Sequence, residues 1–162
     1  MAPLLRRRAP KFAPLVPVPP MAELPPAKLQ SAARYLGTLD EQGDRVVGQS
    51  LAARSAARLS LSPEALDVVR VAGSFRIPAT ALRGASTADR FAGKPVPDLL
   101  LVRWAHGEHR WQTGFRMEPT KGLTKAPGTG RDRRATTQPP DVGAWVRTIS
   151  KMARKSEEKF DG

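Results

Sequence analysis

Proline placement is the feature that most restricts how this chain folds. Half of the 16 prolines fall within the first 26 residues, where their density blocks helices and sheet ladders and favours extended polyproline II. The same segment carries Arg6, Arg7, Arg8 and Lys11, so it is basic as well as proline-rich. We therefore predict a basic, mostly disordered linker over residues 1–30 that acts as a semi-rigid spacer.

A second segment of low predicted order covers residues 118–140. It is rich in Pro, Gly, Thr, Lys and Arg, and Leu123 is its only large apolar residue. A segment of this composition buries too little apolar surface to offset the entropy that ordering costs. We predict a disordered basic loop here, which leaves residues 31–117 as the part of the chain that can build a core.

Alternating patterns within residues 31–117 predict β-strands. Residues 58–61 alternate polar and apolar side chains, and residues 66–71 are rich in β-branched ones, which predicts an antiparallel hairpin. The clearest alternation places one set of side chains on a single strand face: His109, Trp111, Thr113, Phe115 and Met117. We expect that face to be buried, and the opposite face, which carries Arg110 and Arg116, to be an exposed cationic surface.

Three further segments of the middle region are less regular. The continuous apolar run Leu99–Val102 indicates a strand that is covered on both faces. Residues 35–39 and 75–77 predict short strands. Residues 44–57 fit a helix or a strand by periodicity alone.

The end of the chain changes to a helical period. Apolar residues recur at helical spacing from Val142 to Ala153, directly after Asp141, which is a favourable N-cap residue. This predicts an amphipathic helix over residues 141–160, whose apolar stripe, with Trp145 and Ile149, needs a sheet or another helix to cover it. Several short strands followed by one packing helix predict a mostly-β or α+β fold.

The charge balance narrows the classes of partner. The chain has 27 Lys and Arg against 15 Asp and Glu, a net charge of +12, which favours polyanions or anionic membranes and disfavours a basic substrate. It has no cysteine, which excludes a disulfide framework and thiolate metal sites and suits the reducing cytoplasm.

The sequence offers no spanning segment near its start. The longest uncharged stretch there, residues 12–22, is shorter than the roughly 20 residues that a spanning helix needs, and it contains four prolines. Leu4-Leu5 followed by three arginines resembles the cytoplasmic end of a spanning helix. We expect a cytoplasmic protein that is peripheral to the plasma membrane, or anchored in it if the true start lies upstream of Met1.

The residue inventory favours a protein without catalytic activity. His106 and His109 are the only histidines, and no nearby pair of carboxylates completes a metal site. The sequence has no G-x-S-x-G elbow, and Gly128-Thr129-Gly130 lacks the spacing of a phosphate-binding loop. We predict no catalytic residues, no metal and no cofactor.

Basic clusters are candidate contacts for the phosphate groups of lipids or RNA. They are Arg6, Arg7 and Arg8 with Lys11; Lys121 and Lys125 with Arg131, Arg133 and Arg134; and Arg147, Lys151, Arg154 and Lys155 on the helix. The alternative is that they are the ordinary surface of an arginine-rich protein. Because the tryptophans are assigned to the core, no aromatic platform for RNA bases is predicted, and nucleic acid is the second choice of partner.

The middle of the chain resembles a known family. Ile77-Pro78-Ala79, Ala92-Gly93-Lys94 and Thr113-Gly114-Phe115-Arg116 are similar in order and spacing to the bacterial pleckstrin-homology-like (PH-like) domain of small actinobacterial membrane-anchored proteins. Leu100, Val102, Trp104 and Gly107 extend the resemblance, which covers about residues 35–116 and the C-terminal helix. It implies a partly open β-barrel of about seven strands capped by that helix, in a module without catalytic residues.

Two features depart from the resemblance. The spanning helix that precedes the domain in the family is missing from this sequence, and residues 118–140 separate the last strand from the final helix. The turn at residues 40–44 is acidic, which does not support recognition of inositol lipids. We expect a non-enzymatic interaction or scaffold module near the cytoplasmic membrane surface that acts through a protein partner or as a homo-oligomer. A basic RNA- or ribosome-associated protein is the alternative.

Overall fold

The computed structural model of the chain describes residues 12–125 and 133–160, with the backbone alone for Met21, residues 120–125, residues 133–138 and residues 157–160. Within these residues eleven strands, two short 3-10 helices (Met21–Glu23 and Ala79–Ala81) and one α-helix follow one another along the chain. The strands and the α-helix are β1 Leu29–Leu39, β2 Ser55–Leu61, β3 Ala65–Arg70, β4 Phe75–Pro78, β5 Leu82–Ser86, β6 Arg90–Phe91, β7 Lys94–Pro95, β8 Leu99–His106, β9 His109–Met117, β10 Thr120–Lys125, β11 Arg133–Gln138 and α1 Val142–Phe160.

Seven strands form one antiparallel sheet in the order β4-β3-β2-β1-β9-β8-β5. Phe75 on β4 and Trp104 on β8 stack with their ring centroids 5.8 Å apart. In a flat sheet these strands, five positions apart, would be separated by about 24 Å. The sheet is therefore strongly bent, and its edge strands β4 and β5 do not pair with each other. This confirms the predicted mostly-β, partly open barrel of seven strands.

The main apolar core fills the inside of the bent sheet. The four aromatic residues that the sequence assigned to it are all buried, with exposed fractions between 0% and 4%: Trp104, Trp111, Phe115 and Trp145. Along β9 the buried and exposed positions alternate as predicted, and Arg110 and Arg116 are exposed. Two positions differ: Gly114 is buried on the outer face, and His109, which was expected to be buried, is only half-buried.

The helix α1 covers the open side of the barrel. Asp141 caps it as predicted, because its Oδ1 accepts the Ala144 N–H at 3.0 Å. Trp145 and Ile149 pack into the main core. The Ser150 hydroxyl donates to a carbonyl oxygen of β5 at 3.3 Å, which fixes the helix to that edge of the sheet.

A smaller apolar cluster lies on the outer face of the sheet. Phe91, on the short β6–β7 hairpin, packs over Gly114 so closely that a Cβ there would lie 2.6 Å from the ring. Leu36, Leu99 and Leu101 surround the ring. The apolar run at the start of β8 is therefore buried on both faces, which confirms the sequence prediction.

The proline-rich segment lies against the barrel from Phe12 onwards, which differs from the mostly disordered linker predicted at this end. Phe12 packs edge-on against Trp111 with ring centroids 4.8 Å apart, and Val16 forms an antiparallel bridge to Arg76 on β4. The strand β1 begins at Leu29, so the last residues of the predicted linker belong to the sheet. Proline removes only its own N–H, and the residues between the prolines keep theirs and supply apolar side chains.

Residues 118–140, predicted as a disordered loop, contain a β-hairpin. Strands β10 and β11 pair antiparallel, with Thr120 opposite Gln138 and Lys125 opposite Arg133. They pair with each other and not with the seven-stranded sheet. These two strands contain four threonines, and threonine favours β-strands. The prediction of a disordered loop considered only how little apolar surface the segment can bury. The division of the chain into linker, barrel, loop and helix as separate units stays a prediction.

Residues 44–57, which fit a helix or a strand by periodicity, form neither over most of their length. They connect β1 to β2, and only the residues from Ser55 onwards join a strand. Gln49 and Ser50 have φ angles of 47° and 62°, in a region that interrupts both regular structures.

Candidate functional site

Three neighbouring arginines on the outer side of the sheet form a surface that we call the arginine face: Arg34 on β1, Arg58 on β2 and Arg116 on β9. Arg34 lies directly opposite Arg116 in the β1–β9 register. Arg58 lies opposite Ala32 and is therefore diagonal to Arg34. All three arginines are exposed, so three adjacent strands present positive charge to one patch of solvent.

The arginine face is not neutralised by ion pairs within the described part of the chain. Like charges directly opposite each other on neighbouring strands destabilise a sheet. Among the side chains that the structure describes, Asp67 and Arg76 form the only ion pair, at 2.7 Å. Glu118 lies at one end of the face, where its N–H donates to the Ala32 carbonyl at 3.1 Å. An anionic partner would supply the counter-charge that the fold leaves out.

Other arginines extend the positive surface around the outer apolar cluster. Arg45 lies over Gly37 and donates to the Leu36 carbonyl at 3.2 Å. Arg103 lies across Gly84 of β5. Arg110, at the β8–β9 turn, is exposed, and its guanidinium donates to the carbonyl oxygen of the preceding residue at 3.2 Å.

Sequence reasoning singled out Arg110 and Arg116 on β9 and missed Arg34 and Arg58. A signal was present for Arg58, which occupies a polar position in an alternating stretch. The residues around Arg34 do not alternate, so no local pattern marked it. What the sequence does not show is the register, which alone sets Arg34 opposite Arg116. The binding roles of Arg110 and Arg116 stay predictions.

The predicted basic contacts in the linker and in the loop are not among the side chains that the structure describes. Five of them lie outside the described residues: Arg6, Arg7, Arg8, Lys11 and Arg131. Arg133 and Arg134 lie on β11, and only their backbone is described. Their contact with an anionic surface stays a prediction. In the described ranges, no helix combines the length and the apolar character needed to cross a membrane.

A chain of buried hydroxyl groups joins β1, β8 and β9 inside the barrel. The Tyr35 hydroxyl donates to the Leu51 carbonyl at 2.6 Å and lies 2.7 Å from Thr38 Oγ1. Thr38 Oγ1 is 2.8 Å from Thr113 Oγ1, which also accepts the Trp104 Nε1–H at 2.9 Å. Desolvation by burial raises the pKa of Tyr35 to about 12. The phenol therefore stays neutral in alkaline solution up to about pH 12 and acts as a structural group.

Arg70 is a buried cation that sequence reasoning missed, since nothing in its neighbourhood distinguishes it from an exposed arginine. It is 5% exposed. Its guanidinium donates to the carbonyl oxygens of Ser50, Ala53 and Gly73 at 2.7, 3.0 and 2.6 Å, and burial lowers the pKa of Arg70 from its ordinary value. Because its guanidinium donates hydrogen bonds to these carbonyls, Arg70 holds the β1–β2 connection in place and is not positioned to bind a ligand.

The two histidines serve packing. Their rings stack on Trp111, with centroids 5.3 Å away for His106 and 5.4 Å away for His109. His106 Nε2 is 2.7 Å from the Ala13 carbonyl, so as a donor it ties the proline-rich segment to the barrel. Within the described ranges no three His, Asp or Glu side chains come together to hold a metal ion.

Comparison with known families identifies the fold. A family model described as "Bacterial PH domain-like" matches residues 13–127, which is 115 of the 162 residues. The match includes the docked proline-rich segment and all seven strands of the bent sheet. Domains of this kind are typically non-catalytic modules that mediate interactions. No curated protein matches the chain significantly. The chain belongs to the bacterial PH domain-like family.

Proposed function

We propose that this protein is a non-enzymatic docking module that binds an acidic surface of a protein partner through the arginine face, at or near the cytoplasmic membrane. The observation that carries the proposal is the cross-strand juxtaposition of Arg34 and Arg116, with Arg58 on the next strand. Guanidinium groups bind carboxylates in bidentate geometry and are enriched at protein interfaces.

The surroundings of the arginine face favour a protein over other anions. Exposed Ala32 and Ala56 separate the arginines, so the patch presents small side chains between its charges and leaves room for a partner surface. RNA readers stack bases on exposed aromatic rings, whereas the tryptophans here are buried. A second copy of the chain would bring the same positive face, so self-assembly through this patch is electrostatically unfavourable.

The proposal is tested by reversing charge on the face. The variant is Arg34→Glu/Arg116→Glu, and the matched control is Arg147→Glu/Arg154→Glu, which makes the same charge change at exposed positions of α1. In a pull-down from nuclease-treated native lysate, we expect wild type and control to recover the same acidic partner and the face variant to lose it. Circular dichroism checks that both variants fold.

Two results would contradict the proposal. Equal recovery by the face variant and the control would show that the arginine face is not the docking surface. Recovery from an untreated lysate that is lost when the lysate is treated with nuclease would favour the basic RNA- or ribosome-associated protein. Fractionation of the same lysate tests the location, since a membrane-proximal module is expected in part in the membrane fraction.

A further inference from the structure

A cavity of about 620 Å³ lies between α1 and one end of the barrel. One wall is the face of α1 from Thr148 to Ser156; the other is formed by the β2–β3 turn, Pro63-Glu64, and by the segment Pro78–Thr80. Lys28, next to the start of β1, also lines it. Its volume is within the range of about 300–1,000 Å³ that is typical of ligand sites.

Hydrogen bonds hold the walls of this cavity in place. The Ala79 N–H donates to the Glu64 carbonyl at 2.9 Å, which joins the two barrel segments. The Ser156 hydroxyl donates to the Ala79 carbonyl at 3.1 Å, which joins α1 to the same wall. The Lys28 N–H donates to the Leu61 carbonyl at 2.6 Å. The two walls of the cavity are therefore connected to each other and to the barrel.

The lining combines an apolar interior with a positive rim. Met152 and Pro78 contribute apolar surface from opposite walls, and methionine adapts to irregular apolar groups. Lys28, Lys151 and Lys155 bring positive charge, against the single carboxylate of Glu64. A ligand that complements this lining carries carboxylates next to an apolar group.

The spacing of the lysines favours an extended peptide. Lys151 and Lys155 are one helical turn apart, a rise of about 6 Å, and alternate side chains of an extended chain are about 6.6 Å apart. The wall from Thr148 to Ser156 spans about 12 Å, which is the length of three to four extended residues.

We infer that the cavity binds a short acidic peptide segment of a partner protein. Two carboxylates at positions i and i+2 of the peptide pair with Lys151 and Lys155, and the apolar side chain between them points across the groove to Pro78 and Ala79. This site is separate from the arginine face and goes beyond the proposed docking function.

In the test, the full chain is the bait that selects peptides from a displayed library of random octapeptides. The enriched peptides are then labelled, and their binding to the full chain is measured by fluorescence anisotropy. We expect an acidic-apolar-acidic triplet to be enriched. Lys151→Glu/Lys155→Glu is expected to weaken binding at least about tenfold, which is about 1.4 kcal/mol. The control Arg147→Glu/Arg154→Glu makes the same charge change on the same helix outside the cavity and is expected to leave affinity within about threefold.

Each other outcome overturns the inference. Selection without that triplet means that the cavity does not recognise an acidic peptide, and equal losses in the two helix variants mean that the attraction is unspecific. Binding that survives Lys151→Glu/Lys155→Glu but is lost in Arg34→Glu/Arg116→Glu would assign the peptides to the arginine face. That result would support the proposed function and would show that the cavity is not the peptide-binding site. If no peptide is enriched and Lys151→Glu/Lys155→Glu loses binding to anionic vesicles, the ligand of the cavity is a lipid and not a peptide.

Discussion

At the scale of single residues, the position on a strand decides whether a side chain stabilises the fold or faces solvent. Trp111 is 4% exposed and packs edge-on against Trp104 with ring centroids 5.1 Å apart. Its neighbour Arg110 is exposed. Adjacent residues of β9 therefore belong to different parts of the molecule, one to the core and one to the cationic surface.

We expect Trp111→Ala to lower the free energy of unfolding by about 3–5 kcal/mol, the usual cost of deleting a large buried aromatic side chain. Arg110→Ala, an ordinary surface change, should lower it by less than about 0.5 kcal/mol. Urea denaturation measures both. Equal losses would show that the face of β9 is assigned wrongly.

Tyr35 makes stability sensitive to alkaline pH. Its pKa in the folded protein is about 12, above the ordinary value of 10.0, so the folded state retains a proton that the unfolded chain releases. The stabilisation from neutral Tyr35 is complete below pH 10 and is lost as the pH rises towards 12, by on the order of 3 kcal/mol.

The chain has one tyrosine, so the ultraviolet absorbance of the phenolate reports its ionisation directly. We expect the folded protein to ionise near pH 12 and the urea-unfolded chain near pH 10. Tyr35→Phe serves as the control, because it should remove the additional alkaline loss of stability. Ionisation of the folded protein at the ordinary pKa would contradict the burial of this side chain.

At the scale of elements, the short segments outside the seven-stranded sheet differ in how they are attached. The proline-rich segment contacts the barrel at Trp111 and at the edge strand β4. The β10–β11 hairpin pairs only with itself within the described strands. The two segments are therefore expected to contribute differently to stability.

Phe12→Ala should lower the free energy of unfolding by about 1–2 kcal/mol, because it removes a half-buried ring and an edge-on contact with Trp111. Pro14→Ala, at an exposed position of the same segment, is the control and should change stability by less than about 0.5 kcal/mol. Thermal denaturation measures both. No effect of Phe12→Ala would favour the freely disordered linker.

Deletion of residues 119–137 should leave the melting temperature nearly unchanged. A two-stranded hairpin adds little stability of its own, and the entropy of closing a loop depends weakly on its length. Circular dichroism on heating compares the deletion variant with the full chain. A large drop in melting temperature would mean that the hairpin packs against the barrel.

At the scale of the whole molecule, the net charge of +12 acts together with the localised arginine face. Three arginines and Lys11 near the start of the chain would each add roughly 1 kcal/mol at an anionic surface, about 4 kcal/mol in all. That energy corresponds to a Kd in the millimolar range.

We therefore expect vesicles that contain phosphatidylserine to retain the protein at low ionic strength and to release it at physiological salt, because screening weakens exposed charge interactions. Replacing Arg6, Arg7 and Arg8 by serine should abolish most of the retention, whereas neutral vesicles should retain nothing. Co-sedimentation measures this. A protein that fails to bind anionic vesicles even at low salt would contradict the membrane-proximal location and favour RNA as the partner.

Local periodicity made the elements of the core predictable. The alternation on β9, the helical stripe of α1 with its Asp141 cap, and the apolar start of β8 each depend on neighbouring residues along the chain. For the same reason the burial of the aromatic residues and the fold class followed from the sequence. Composition alone did not predict the contacts of the proline-rich segment with the barrel or the pairing of the threonine-containing hairpin.

The candidate site depended on contacts between residues far apart in the sequence. Strand register set Arg34 opposite Arg116, and the bend of the sheet carried Phe75 to Trp104. The cavity has walls from α1 and from turns of the barrel. Sequence by itself determined which residues alternate, cap or break an element, because those effects are local. Only the tertiary structure decided which charges meet and what the helix encloses, because pairing and packing join segments that no local pattern links.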